Sequence, residues 1–160
     1  LLLKLLNTAK NTSIGKLYDF DSIKSYKEFC ERVPVSTYEE ISEIIERSRK
    51  GEKNIFWNTE IKWFAKSSGT TNSKSKFIPI SQESLDYCHY AANKDLLCLY
   101  LSNNENSKLF EGKNLRLGGS KSTYSENGSI YGDLSAILIE NMPIWADFSS
   151  TPTKKSCINE

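Results

Sequence analysis

An α/β fold is predicted by three observations: amphipathic helical periods before and after the middle of the chain, two short β-type runs at Ile61 to Ala65 and Phe77 to Ile80, and a further strand candidate lying between helices. That alternation implies helices packed on a mixed sheet. The sheet is expected to be incomplete, because few strands can be counted and the polar segment Ser149 to Glu160 shows no periodicity. With 160 residues, 38% hydrophobic and 26% charged, there is enough material for one domain with a core. The layout divides into a helical lead-in over 1–51, a strand–loop–strand unit over 61–80, a helix–strand–loop–helix stretch over 82–148 and a tail over 149–160.

A net charge of +1 provides no general field for nucleic acid or an anionic membrane, and no basic run supplies one locally. The apolar start Leu1 to Leu6 is interrupted by Lys4 and is too short to span a bilayer, so it reads as the buried end of a helix. The chain begins on Leu rather than Met, and an N-terminal truncation is expected. Cys30, Cys88, Cys98 and Cys157 lack metal-type spacing. Cys88 and Cys98 stand about three turns apart on one expected helix and cannot bridge each other. Free thiols in a reducing, cytoplasmic setting are the expectation.

The first helix should end near Lys10, where Asn11-Thr12-Ser13-Ile14-Gly15 forms a turn. Ser25 followed by Glu28 is a capping-box pattern for a short helix carrying Phe29 and Val33, which Pro34 stops. Thr37 and Glu40 repeat the pattern. Tyr38, Ile41, Ile44 and Ile45 then share one face, Arg47-Ser48-Arg49-Lys50 complements the last turn, Gly51 closes the helix, and the charged outer face is solvated. Glu52 to Glu60 is a polar connection whose Ile55-Phe56-Trp57 packs on the core. Ile61, Trp63 and Ala65 alternate with Lys62, Phe64 and Lys66 in a strand. Ser81 caps the longest helix, Gln82 to Leu101, with Leu85, Cys88, Ala92, Leu96 and Leu99 on one stripe. Asn103 to Ser107 ends it, Leu115 to Leu117 is a short strand, and a turn-rich loop follows. Asp133 caps a last helix, Leu134 to Asn141, stopped by Pro143.

The chemistry concentrates between the two middle strands, in Lys66-Ser67-Ser68-Gly69-Thr70-Thr71-Asn72-Ser73-Lys74-Ser75-Lys76. Hydroxyls, a glycine that lets the backbone approach a ligand, and lysines at the far end are what a loop needs to hold a polyanion. A ligand-free, solvent-exposed hairpin would have much the same composition, and order and flanks are what favour a phosphate loop. A degenerate Walker A loop is a second functional reading, since Lys74-Ser75 follows Gly69 at the right interval. It lacks the glycine before Lys74, and Pro79 inside a β-type run leaves no room for the helix that must follow.

Ser67-Ser68-Gly69-Thr70-Thr71, with Lys76 and Pro79 downstream, looks like the first signature of adenylate-forming enzymes. The string Trp63 to Ser81, with Asn11 to Gly15, Glu31-Arg32-Val33-Pro34-Val35 and Tyr131 to Ala136, resembles the auxin-responsive promoter family of acyl acid amido synthetases, in its bacterial branch, over nearly all of the chain. The loop departs from the commoner adenylating pattern at Asn72-Ser73, where glycines are usual, and keeps its donors. The resemblance implies an incomplete part of the large N-terminal domain of an adenylate-forming enzyme, with the C-terminal domain absent from this sequence. It implies an ATP- and Mg2+-dependent ligase joining a small carboxylic acid to an amino acid or other amine through an acyl-adenylate. It places Ser67, Ser68, Gly69, Thr70 and Thr71 on the β- and γ-phosphates, with Lys76 as the accompanying cation. No catalytic residue or metal ligand is assigned within the chain. Tyr131-Gly132-Asp133 is not the superfamily's ribose-binding signature, which by resemblance lies further along.

Acyl-pocket candidates are Tyr87, Tyr90 and Lys94 on the helix after the loop, with Ser120 and Tyr131 from the glycine-rich stretch Gly118 to Asp133. An aromatic stripe at helical spacing is also the mark of a core. His89, the single histidine, has no triad or metal constellation and reads as a packing or surface residue. The different-class alternative is a non-catalytic nucleotide-binding or structural domain that keeps the loop.

Overall fold

In the computed structural model, which describes residues 1–67, 75–116, 124–126, 128–154 and 156, helix starts follow side-chain chemistry. Thr12, Ser25, Thr37 and Ser81 each accept a bond from the backbone N–H three residues ahead, at 3.0, 3.2, 3.4 and 3.0 Å. They open α2 (Ser13–Leu17), α3 (Tyr26–Arg32), α4 (Tyr38–Arg49) and α5 (Gln82–Ser84). The cluster Asn11 to Gly15 was expected only to stop the first helix; it does follow α1 (Leu2–Ala9), and it also nucleates α2 because Thr12 is a good N-cap. Gly51 closes α4 with φ +88°, its N–H reaching the Ser48 carbonyl at 3.0 Å while the Glu52 N–H reaches that of Arg47 at 3.2 Å.

Strands β1 (Trp63–Lys66) and β2 (Phe77–Ile80) form an antiparallel pair in the register Trp63–Ile80 to Lys66–Phe77. On the other side of β1 lies β5 (Ser129–Gly132), parallel to it, and β4 (Tyr124–Glu126) completes the sheet antiparallel to β5. The order is β2-β1-β5-β4, a mixed sheet. Pro79 sits on the β2 edge, where a missing N–H costs no ladder bond.

Both faces of β1 are covered. Ala65 packs with Ile80, Leu85 and Ile137, flanked by Trp63, Tyr90 and Leu138. Phe64, grouped by alternation with the two lysines, is fully buried on the opposite face, its ring 5.7 Å from that of Tyr131. Alternation distinguishes the two faces of a strand but not whether each is wet, and here α4 covers the second face.

The helix after β2 runs from α5 through a six-residue π turn, Leu85–Tyr90, into α6 (Ala91–Ser102). Leu85 is buried as expected, but Cys88 is exposed and Leu96 and Leu99 are 65% and 63% exposed. A π turn acts as roughly one inserted residue, about 100° of rotation, so a stripe drawn at a constant period misses the core beyond it.

The segment Ser149 to Glu160, a polar tail without periodicity in the sequence, contributes a strand. After α7 (Leu134–Glu140) and α8 (Ile144–Phe148), β6 (Ser150–Thr151) pairs in parallel with β3 (Asn114–Leu115). A two-residue strand shows no period, and its partner lies far upstream. Among the described residues no helix is long and apolar enough to cross a membrane, and Cys30, Cys88 and Cys98 are free and exposed.

Candidate functional site

The loop between β1 and β2 has a defined root. Ser67 N–H donates to the Lys76 carbonyl at 2.9 Å, and Lys76 N–H donates to Ser67 Oγ at 3.2 Å, so the loop's ends are tied across the mouth of the hairpin. Its exit runs straight into β2, and a Walker A loop needs a helix there. Of the phosphate-loop candidates, Ser67 and Lys76 are brought together, while Ser68, Gly69, Thr70 and Thr71 lie outside the described residues, as does Lys74.

Helix α4 braces this root. Its capping box fixes the start at Thr37, which brings the first turn against the loop's exit: Tyr38 Oη accepts from Phe77 N–H at 2.9 Å, and Lys76 Nζ lies 3.0 Å from Glu39 Oε1 and 5.2 Å from the centre of the Tyr38 ring. The Lys76 ammonium holds the Glu39 carboxyl below its usual range. At the other end of α4, the Arg49 guanidinium stacks 3.8 Å from the centre of the Phe77 ring and 4.9 Å from that of Tyr131, and pairs with Glu46. Arg49 Nε is buried with no hydrogen-bonding oxygen, so the ring faces take its place.

Arg49 does not lie on the solvated outer face that the charge pattern of the last turn implies: its side chain is largely buried and joins α4 to β2 and β5. Sequence reasoning missed Glu39 and Arg49 as partners of the loop's surroundings, because a charge on a helix carries no mark of what it will face across the fold.

The acyl-pocket candidates separate. Tyr87 is 81% exposed and Lys94 is exposed. Tyr90 turns inward, packs beside the Ala65 core and donates to the Leu138 carbonyl at 2.8 Å. Its phenol is pushed up to about 12 by burial and by the charge of Asp86. It remains a protonated donor. Tyr131 is buried beneath the hairpin root, edge-on to Phe77 and 3.4 Å from the Arg49 carbonyl, to which it donates. Ser120 lies outside the described residues.

Tyr90 also borders a cavity of about 370 Å³ between α6, α7 and the β3–β6 ribbon, walled by Leu97, Phe110, Leu138 and Met142. Arg116 lines it too, its guanidinium 3.4 Å from Asp147. An apolar wall with a guanidinium beside it suits an apolar body bearing a carboxylate. Among the described residues no cluster of three His, Cys, Asp or Glu side chains could hold a metal. As for ATP, the two described members of the loop root, a serine hydroxyl and a half-buried lysine, are donors of the type a polyphosphate requires.

The model of the GH3 family N-terminal domain matches residues 1–159. The chain belongs to this family. A curated relative, the indole-3-acetic acid-amido synthetase GH3.2 of Arabidopsis thaliana, is 34% identical over 84 residues, covering 52% of this chain and 15% of the relative. The structure of GH3.15 acyl acid amido synthetase superimposes with a TM-score of 0.71 at 23% identity, over 89% of this chain and 26% of that one. The same enzyme in complex with 2,4-DB superimposes at 0.70, with 23% identity, over 88% and 24%. The GH3 chain thus spans about a quarter of the length of its solved relatives, and it has their mixed α/β fold over that part.

Proposed function

We propose that the protein containing this GH3 domain is an ATP-dependent ligase joining a small carboxylic acid to an amino acid or other amine, with the β1–β2 loop holding the phosphates of ATP. The observation that carries this reading is the strand–loop–strand unit with Ser67 and Lys76 at its root, in a chain whose relatives are named as amido synthetases. An acid and an amine do not condense in water without activation of the acid. In the proposed first step a carboxylate oxygen attacks the α-phosphorus of ATP and pyrophosphate leaves; in the second, the amine nitrogen attacks the acyl carbon of the adenylate, loses a proton, and AMP leaves. The loop's task is to offset repulsion between carboxylate and triphosphate through Ser67, Ser68, Gly69, Thr70, Thr71 and Lys76. Magnesium supplied with the nucleotide would neutralise phosphate charge.

Acid-dependent pyrophosphate release by the full-length protein, measured across a panel of carboxylic acids, tests the proposal. ATP binding without acid-dependent pyrophosphate would leave a nucleotide-binding module. Lys76→Ala and Thr70→Ala should slow adenylation by an amount equivalent to about 3 kcal/mol in the transition state, with the fold intact. Lys74→Ala is the control; if it proves the more damaging change, Lys76 is not the phosphate cation.

A further inference from the structure

Lys76 is the residue assigned to phosphate, yet its ammonium is already occupied. Glu39 Oε1 lies 3.0 Å away, and the Tyr38 ring faces it at 5.2 Å. Both partners come from consecutive residues in the first turn of α4, and Tyr38 is tied by a 2.9 Å bond to the backbone N–H of the residue after Lys76. Both partners of the ammonium are therefore anchored to the loop's exit. The capping box at Thr37 and Glu40 fixes where that turn begins.

We propose that Glu39 is a positioning residue that acts as a resting-state counter-ion, holding the Lys76 ammonium beside the hairpin root and competing with the phosphates of ATP for it. This rests on the phosphate assignment of Lys76. A carboxylate beside a phosphate site also repels the incoming anion, so competition and repulsion act in the same direction. Against them stands the benefit of keeping a flexible lysine in place. The pair is exposed, 40% at Lys76 and 69% at Glu39, so each term is small and salt-dependent. Exposed pairs shift an equilibrium by about two- to five-fold, which sets the size of the effect.

The test uses the full-length protein and the KM for ATP in the pyrophosphate assay, with the KM for the acid as internal reference. Glu39→Gln keeps the shape and removes the charge. It should lower the KM for ATP by about two- to five-fold at ~50 mM salt, and the difference should fade near ~0.5 M salt. In a Lys76→Ala background the part of the effect that comes from competition for the ammonium should disappear and only the direct repulsion remain, a non-additivity that a purely structural role for Glu39 would not produce. An unchanged or raised KM for ATP in Glu39→Gln, with Lys76→Ala still impaired, overturns the counter-ion role alone. Lys76→Ala with an unaltered KM for ATP and unaltered turnover overturns the phosphate assignment beneath it.

Discussion

At the scale of single residues, Gly15 shows how a local preference loses to a contact. It lies inside α2, where alanine would be favoured over glycine by about 1 kcal/mol on propensity. A Cβ there would sit 2.1 Å from the Ala9 carbonyl oxygen and 2.8 Å from Lys10 Cα, both backbone atoms that cannot rotate aside. Gly15→Ala should therefore destabilise the chain by about 2 kcal/mol or more, read from denaturant midpoints at constant slope. Tyr90 offers a second residue-scale test. The Leu138 carbonyl belongs to the last turn of α7, where helix carbonyls lack intrahelical donors, and Tyr90 supplies one. Tyr90→Phe should cost about 0.5–1.5 kcal/mol of stability and leave the KM for the acid unchanged in the full-length protein. A raised KM for the acid with unaltered stability would instead make the hydroxyl a substrate contact.

At the scale of elements, capping ties helix starts to pH. The Glu40 carboxylate accepts from Thr37 N–H, while Glu28 reaches past Ser25 and accepts from Lys24 N–H. These backbone bonds, aided by the Thr37 and Ser25 hydroxyls, hold both carboxyls below their ordinary value of 4.5. The folded chain then binds fewer protons than the unfolded one in the acid range. Stability from these bonds is complete above the ordinary value and is lost as pH falls through the lower folded one. Glu40→Gln should flatten the dependence of the unfolding midpoint between roughly pH 3 and pH 6, with the largest loss relative to wild type at the upper end. Capping was legible in the sequence because it joins residues three apart. The π turn was not: its cost and its benefit depend on what the helix packs against.

At the scale of the whole molecule, large apolar side chains stand in the open. Leu96 and Leu99 on α6 are joined by Leu115, Ile144 and Phe148 on other elements. The chain is also about a quarter the length of its solved GH3 relatives. Expressed by itself it should bind an apolar dye and self-associate. Replacing both Leu96 and Leu99 by Glu should reduce self-association and leave its unfolding free energy within about 0.5 kcal/mol. In a longer protein in which further chain covers this face, the same pair should cost several kcal/mol, at roughly 1.5–3 for each side chain withdrawn from an apolar contact. Equal small effects in both would show that this face stays exposed in the longer protein.

The helix starts at Ser25, Thr37 and Ser81, the hairpin around the loop and the family can all be read from the order of residues alone. The helix starts and the hairpin are written in residues close together in the chain, and the family in short motifs spread along it. The burial of Phe64, the stacking of Arg49 on Phe77 and Tyr131, the meeting of Glu39 with Lys76 and the pairing of Ser150–Thr151 with Asn114–Leu115 come from how the chain packs in three dimensions. In each case the deciding partner comes from a distant part of the chain, and a charge, a ring or a two-residue strand carries no local sign of the partner that will cover it.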